Sequence, residues 1–250
     1  MISVGVIHFN TCDAEHLRRA LDSLRPQLTP DVSEVLIYDN NSDTPGIDME
    51  IVIDETLSDN GTTNIRAVFD RHGDPNKTHS YSVNSTLSLL EGPWVFLTRS
   101  DYILAPDALS SMLKMAKAME CDGLKPFVTG WCYQAAYNRQ EKPYPPYDIE
   151  GLSFSELVHP AKVVGHTFAE TDQDAGVWLS KKEYWQACPL NEQLTAWGYA
   201  QSTWQRQLRN EQGVEMFAIP RELFFHQQHG DWARDHELAR RQYEQFGGGR

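Results

Sequence analysis

Ile2-Ser-Val-Gly-Val-Ile-His8 and the segment that follows it, Asp13-Ala-Glu-His-Leu-Arg-Arg-Ala-Leu-Asp-Ser-Leu24, decide the fold class. The first is a short β-branched run that reads as a strand, and in the second Leu17, Ala20, Leu21 and Leu24 recur at helical spacing. Asp13 and Glu15 suit the first turn of that helix, and Pro26 with Pro30 stops it. A second strand, Glu34-Val-Leu-Ile-Tyr38, runs into the turn formers Asp39-Asn-Asn-Ser-Asp43. Residues 49–53 read as a weaker third strand, residues 79–91 as a helix with Val83, Leu87 and Leu90 on one face, and Trp94-Val-Phe-Leu97 as a fourth strand. Pro106 opens a further helix whose stripe of Ala108, Leu109, Met112, Leu113, Ala116 and Met119 runs up to Gly123. Strands alternating with helices of this length predict an α/β fold, a mostly parallel central sheet with helices on both faces.

Beyond this half the periodicity fades. Residues 125–166 are rich in aromatics and prolines, Tyr144-Pro-Pro-Tyr147 included, and no sustained period is expected there. Ser180-x-x-Glu183 reads as a capping box opening a short helix. Residues 201–212 read as a longer helix carrying Trp204 and Leu208 and stopping at Gly213, residues 214–219 as a strand, and residues 235–246 as a last helix before the Gly-Gly-Gly-Arg250 end.

The 250 residues, 40% apolar and 11% aromatic, suit a single folded domain. A formal net charge of −13 repels phosphate backbones and anionic lipid, which disfavours broad nucleic-acid binding. No apolar run reaches the roughly 18–20 residues of a membrane-spanning helix, and the opening residues lack a basic flank, so a soluble, cytoplasmic chain is expected. Four cysteines without a C-x-x-C pair predict reduced thiols rather than a zinc knuckle.

Ligands of open α/β sheets bind beyond the carboxyl ends of the strands, and three such ends carry polar clusters: His8-Phe9-Asn10, Asp39-Asn-Asn-Ser42 and Arg99-Ser-Asp101. His8 and Asn10 offer donors and acceptors beside a helix start, where phosphate or a polar base edge is favoured; a plain capping turn explains them as well. Asp39, directly after four apolar residues, suits an N–H such as that of a uracil ring, with Tyr38 or Phe9 packing on the base. An Asx turn accounts for Asp39-Asn40 equally well, and the residues alone leave both readings open. His226-Gln-Gln-His229 reads either as a pair of metal-binding imidazoles or as a strand entering a loop. Trp178, Trp185, Trp197 and Trp204 read as core or acceptor platforms.

The order of these pieces resembles the A-type fold of nucleotide-sugar glycosyltransferases, inverting family 2 in particular. Residues 2–10 resemble that family's opening strand and loop, Tyr38-Asp-Asn-Asn-Ser-Asp43 its second-strand signature, and Asn84 an asparagine preceding its next conserved strand. Residues 95–106 are similar to the segment bearing its aspartate-any-aspartate motif. Asp174-Ala-Gly-Val-Trp-Leu-Ser-Lys-Lys182 resembles its glycine and basic pair before a short helix, and Leu190-Asn-Glu192, Trp197-Gly-Tyr-Ala-Gln201 and Phe225-His226 follow in the family's order.

The resemblance implies a Rossmann-like fold with a nucleotide-binding half at 1–123 and an acceptor-binding half at 124–250. It further implies transfer of a sugar from a UDP-sugar donor to an acceptor hydroxyl with inversion, assisted by Mn²⁺ or Mg²⁺. On this plan His8, Phe9, Asn10, Asp39, Asn41, Asn84, Arg99 and Ser100 contact the nucleotide, and Asp101 with His226 holds the metal. The acceptor stays open on the same plan, since saccharides, lipid-linked sugars, proteins and modified nucleobases are all used by enzymes of this general fold; a saccharide is expected first, with contacts near residues 133–147. Two departures stand out. Arg99 replaces the motif's first aspartate, and Ala200-Gln201 replaces the Glu-Asp pair that supplies the catalytic base. Asp174 or Glu192 then becomes the candidate base, and a module that binds nucleotide or sugar without chemistry becomes the alternative.

Overall fold

The computed structural model describes residues 1–9, 12–43, 45–59, 61, 63–72, 74, 77, 79–134, 176–194 and 199–227. Its strands are β1 (Ile2–Phe9), β2 (Val32–Asn40), β3 (Asn64–Asp70), β4 (Trp94–Arg99), β5 (Tyr102–Leu104), β6 (Lys125–Gln134), β7 (Trp178–Lys181) and β8 (Val214–His226). Its helices are α1 (Ala14–Leu24), α2 (Gly46–Leu57), α3 (His79–Leu89), α4 (Ala108–Cys121), α5 (Lys182–Ala187) and α6 (Tyr199–Gln212).

The strands form one eight-stranded sheet in the order β3-β2-β1-β4-β7-β6-β8-β5. β3, β2, β1 and β4 run parallel, as do β6 and β8, whereas β7 and β5 are antiparallel to their neighbours. Both halves of the chain thus contribute to a single sheet. Leu17, Leu21, Met49, Val52 and Met112, from α1, α2 and α4, pack on one face; Val83, Leu87, Trp185, Trp204 and Leu208, from α3, α5 and α6, pack on the other. The expected mostly parallel sheet with helices on both faces is what forms. Glu15 lies in the first turn of α1 as expected, whereas Asp13 stands just before it as the N-cap, its carboxylate accepting the His16 N–H at 2.9 Å.

Three local expectations are corrected. Residues 49–53 are not a strand but the middle of α2, because Met49, Val52, Ile53, Thr56 and Leu57 are buried at helical spacing while Ile51 stays exposed. The true third strand is β3. Ser180 does not cap a helix: it lies within β7, its hydroxyl donating to the Pro126 carbonyl at 3.1 Å, and α5 has no side-chain cap. The start of the aromatic stretch is regular, since β6 runs to Gln134 and pairs with both β7 and β8. The last helix expected at 235–246 and most of the segment 133–147 lie outside the described residues. Among the described residues, no helix is long and apolar enough to cross a membrane.

Candidate active site

Parallel register carries the strand tips to one edge of the sheet. His8 pairs with Asp39, Phe9 with Asn40 and Ile7 with Arg99, and Asn40 in turn stands beside Asp70. The Ser100–Asp101 turn that follows β4 is tied to β1, because the Ser100 N–H donates to the Ile7 carbonyl and its hydroxyl meets His8 Nδ1, each at 2.9 Å. From the far side of the sheet β8 brings His226 opposite Tyr102. Asp101 Oδ2 lies 3.0 Å from His226 Nε2, and Oδ1 lies 3.3 Å from Arg99 Nε. His8, Arg99, Ser100, Asp101 and His226 are all buried. Desolvation, more than any neighbour, pushes the His8 pKa down to about 4, so its ring is neutral at physiological pH.

Arg99 is 1% exposed. It donates to the Tyr102 hydroxyl at 2.7 Å and its guanidinium lies 4.8 Å from the Tyr102 ring centre, close enough for cation–π attraction. Gly176, with φ of 67°, packs against that ring, and a Cβ there would collide with it. The glycine before β7 therefore gives Tyr102 the room in which it orients Arg99.

At the β2 tip Asp39 forms the Asx turn, one of the two readings left open by the sequence. Its Oδ1 accepts the Ser42 N–H at 3.1 Å, which organises the turn, and Asn41 adopts a φ of 53°, a left-handed conformation that asparagine tolerates. Its Oδ2 faces Arg71 Nη1 at 2.7 Å, an ion pair without the alignment of a directed hydrogen bond. Burial pushes the Asp39 pKa up, with Ser42 and Arg71 pulling against it. Arg71 also donates to the Ser42 carbonyl. No sequence signal singles it out; only the strand at Asn64–Asp70 puts Arg71 directly after a fourth tip.

Other expectations move. Tyr38 does not flank the site: it is 2% exposed, and its hydroxyl donates at 2.6 Å to Asp70, which also accepts from Tyr81 at 2.7 Å. Phe9 stays half-buried at the β1 tip, its ring 5.8 Å from that of His79. Asn84 ties α3 to the loop after α5. Its Nδ2 donates to the Leu190 carbonyl and to Glu192 Oε1, both at 2.9 Å, and its Oδ1 accepts the Leu190 N–H at 3.0 Å. Glu192 is exposed at the end of that tie. Trp178, Trp185 and Trp204 are core residues, with Trp185 and Trp204 rings 4.5 Å apart. Asn10, Asp174, Trp197 and His229 lie outside the described residues, as do the side chains of Ala200 and Gln201.

Among the described residues no three His, Cys, Asp or Glu side chains gather to hold a metal ion. Asp101 and His226 do meet, and their 3.0 Å separation suits two adjacent ligands of an octahedral ion at about 2.1 Å from each. The two side chains are hydrogen-bonded to each other as they stand, and together they would supply two ligands of a divalent ion, leaving its other positions to ligand oxygens and water.

A sequence profile of Glycosyl transferase family 2 matches residues 3–156, more than half of the chain. The chain belongs to glycosyl transferase family 2. No curated relative matches it. Among solved structures, S. aureus TarS 1-349 in complex with UDP-GlcNAc is 13% identical, with a TM-score of 0.59 over 92% of this chain and 59% of that one. Glucosyl-3-phosphoglycerate synthase from Mycobacterium tuberculosis, in complex with Mn²⁺, uridine-diphosphate-glucose and phosphoglyceric acid, is 13% identical, with a TM-score of 0.59 over 96% of this chain and 76% of that one. The same synthase has also been solved with Mg²⁺ and uridine-diphosphate. At such identities the likeness shows the fold, the Rossmann-like A-type fold of glycosyltransferases, and this chain spans about three fifths of the TarS fragment.

Proposed function

We propose that this family 2 chain transfers a sugar from a uridine diphosphate sugar to an acceptor hydroxyl with inversion at the anomeric carbon. One observation carries the reading: His8, Asp39 and the Ser100–Asp101 turn stand together at one sheet edge, where His226 closes on Asp101. Asp39 and Arg71 place an acceptor beside donors, which complements the N–H and carbonyl of a uracil edge. Phe9, half-buried at the β1 tip, offers an aromatic face, and neutral His8 with Ser100, Asn10 and Asn41 is assigned to the nucleoside in this reading. Asn84 supports this side through its loop tie.

Mn²⁺ or Mg²⁺ is held by Asp101 and His226 in this reading, supported by the metal complexes of the neighbouring synthase and by the spacing of the two side chains. When bound, the ion supplies a Lewis acid that stabilises the leaving diphosphate. The Arg99 guanidinium, next to Asp101, adds positive charge on the same side. Inversion also requires a carboxylate to take the acceptor proton as the new bond forms. Asp174 fills that role, with Glu192 as the second candidate, and a saccharide is the acceptor. Asp174→Asn is expected to lower turnover by about 10²–10⁴-fold while leaving UDP affinity intact; unchanged turnover removes the residue from the role.

The whole reading is tested by titration calorimetry with UDP and Mn²⁺, then donor hydrolysis and transfer across a saccharide panel. Absence of UDP binding would falsify it. The burial of Arg99 against Asp101 favours a second reading, a module that binds the nucleotide without chemistry. Tight UDP binding with neither hydrolysis nor transfer selects that one.

A further inference from the structure

Gln227 follows His226 at the end of β8, is 1% exposed and is hydrogen-bonded through its backbone and both ends of its side chain. Its backbone N–H donates to the Asp101 carbonyl at 2.7 Å, which adds one rung beyond the β5–β8 ladder. Its side-chain Nε2 donates to the Ser100 carbonyl at 3.0 Å and to the His16 carbonyl, in the first turn of α1, at 3.2 Å. Its Oε1 accepts from Arg19 Nε at 2.6 Å. One amide therefore joins the turn that carries Asp101, the strand that carries His226 and the helix that follows β1.

A buried amide satisfied at both ends fixes its surroundings, because any rotation strands a donor or an acceptor away from water. Here the fixed objects are the Ser100 and Asp101 peptides. Asp101 and His226 must stay at one separation to share an ion, and the Gln227 amide ties the backbone of both to α1.

We infer that Gln227, oriented by Arg19, is the positioning residue of the Asp101–His226 pair and sets how strongly a divalent ion tightens nucleotide binding. This role rests on the proposed binding of a uridine diphosphate donor. Gln227 itself touches neither nucleotide nor metal; it acts through the backbone of residues 100 and 101. Gln227→Glu keeps the shape and the Arg19 contact but sets carboxylate oxygen against two carbonyl oxygens, and Gln227→Leu removes every side-chain hydrogen bond. Arg19→Ala leaves the amide present but unoriented.

UDP affinity is measured by calorimetry on the full chain in Mn²⁺ and in EDTA, with urea unfolding of each variant alongside. For wild type, Mn²⁺ tightens UDP binding. Gln227→Glu and Gln227→Leu are expected to lose about tenfold of that metal-dependent gain, as outer-shell changes do, with affinity in EDTA held within about twofold. Arg19→Ala is expected to lose a smaller part of the gain. A gain that survives intact in all three variants overturns the inference. So does a parallel fall in both buffers, which is the mark of a general structural role. If Gln227→Leu fails to fold, Arg19→Ala, at a part-exposed helix position, separates the same outcomes. A wild-type chain that binds UDP equally in both buffers removes the metal pair and this role with it, while a chain that binds no UDP at all sinks the donor reading first.

Discussion

His8 shows how much one residue's surroundings alter its chemistry. In the sequence it is a donor and acceptor at a strand end; in the fold it is a neutral ring pressed against Ser100. The unfolded ring takes its proton near pH 6.5 and the folded ring only near pH 4, so between these values the unfolded chain binds more protons. Stability should therefore fall as pH drops from about 6.5 to about 4, by roughly 3 kcal/mol from this group, and level off below. Urea midpoints for wild type and His8→Asn across that range check it: the difference between the two should shrink with acid, and a constant difference rejects the assignment. Asp39 was legible as a candidate because a carboxylate after an apolar run is visible locally. Its partner Arg71 was not, since nothing in the sequence near Arg71 points to a residue 32 positions earlier.

At the scale of elements, strands and helices were legible where period and length agreed. α1 and α4 show buried positions repeating at three and four residues over 11 and 14 residues. The middle of α2 looks like a strand because Ile51-Val52-Ile53 favours one locally, whereas packing against the sheet selects the helical face. Stability can tell the two conformations apart. In a strand Met49, Ile51 and Ile53 would share a face; in α2 Met49 is fully buried and Ile51 is 46% exposed. Met49→Ala should cost about 2–5 kcal/mol, and Ile51→Ala no more than about 0.5 kcal/mol. Equal losses at the two positions would contradict the helix. The failed Ser180 cap has a similar cause: β7 pairs with β4 and β6, and ladder bonds outcompete a local capping pattern.

For the whole molecule, the charge of −13 acts on stability as well as on choice of ligand. Like charges spread over one folded chain repel, and salt screens them, so the urea midpoint should rise between about 50 mM and 500 mM NaCl. A midpoint that falls over this range shows that the favourable pairs outweigh the repulsion. Against that overall acidity, Arg71 and Arg99 stand at the strand tips, each paired with a carboxylate, Asp39 and Asp101 respectively.

The sequence by itself determined the alternation of strands and helices, the polar residues at three strand ends and the likeness to family 2, because each is written in short-range spacing. The tertiary structure decided which of those residues meet. It joined Asp39 to Arg71, Asp101 to His226 and Arg19 to Gln227, a pair 208 residues apart, and it turned Tyr38 into the core and Asn84 toward the loop after α5. Such pairings depend on strand order and register across the whole sheet, and no local window of sequence contains either.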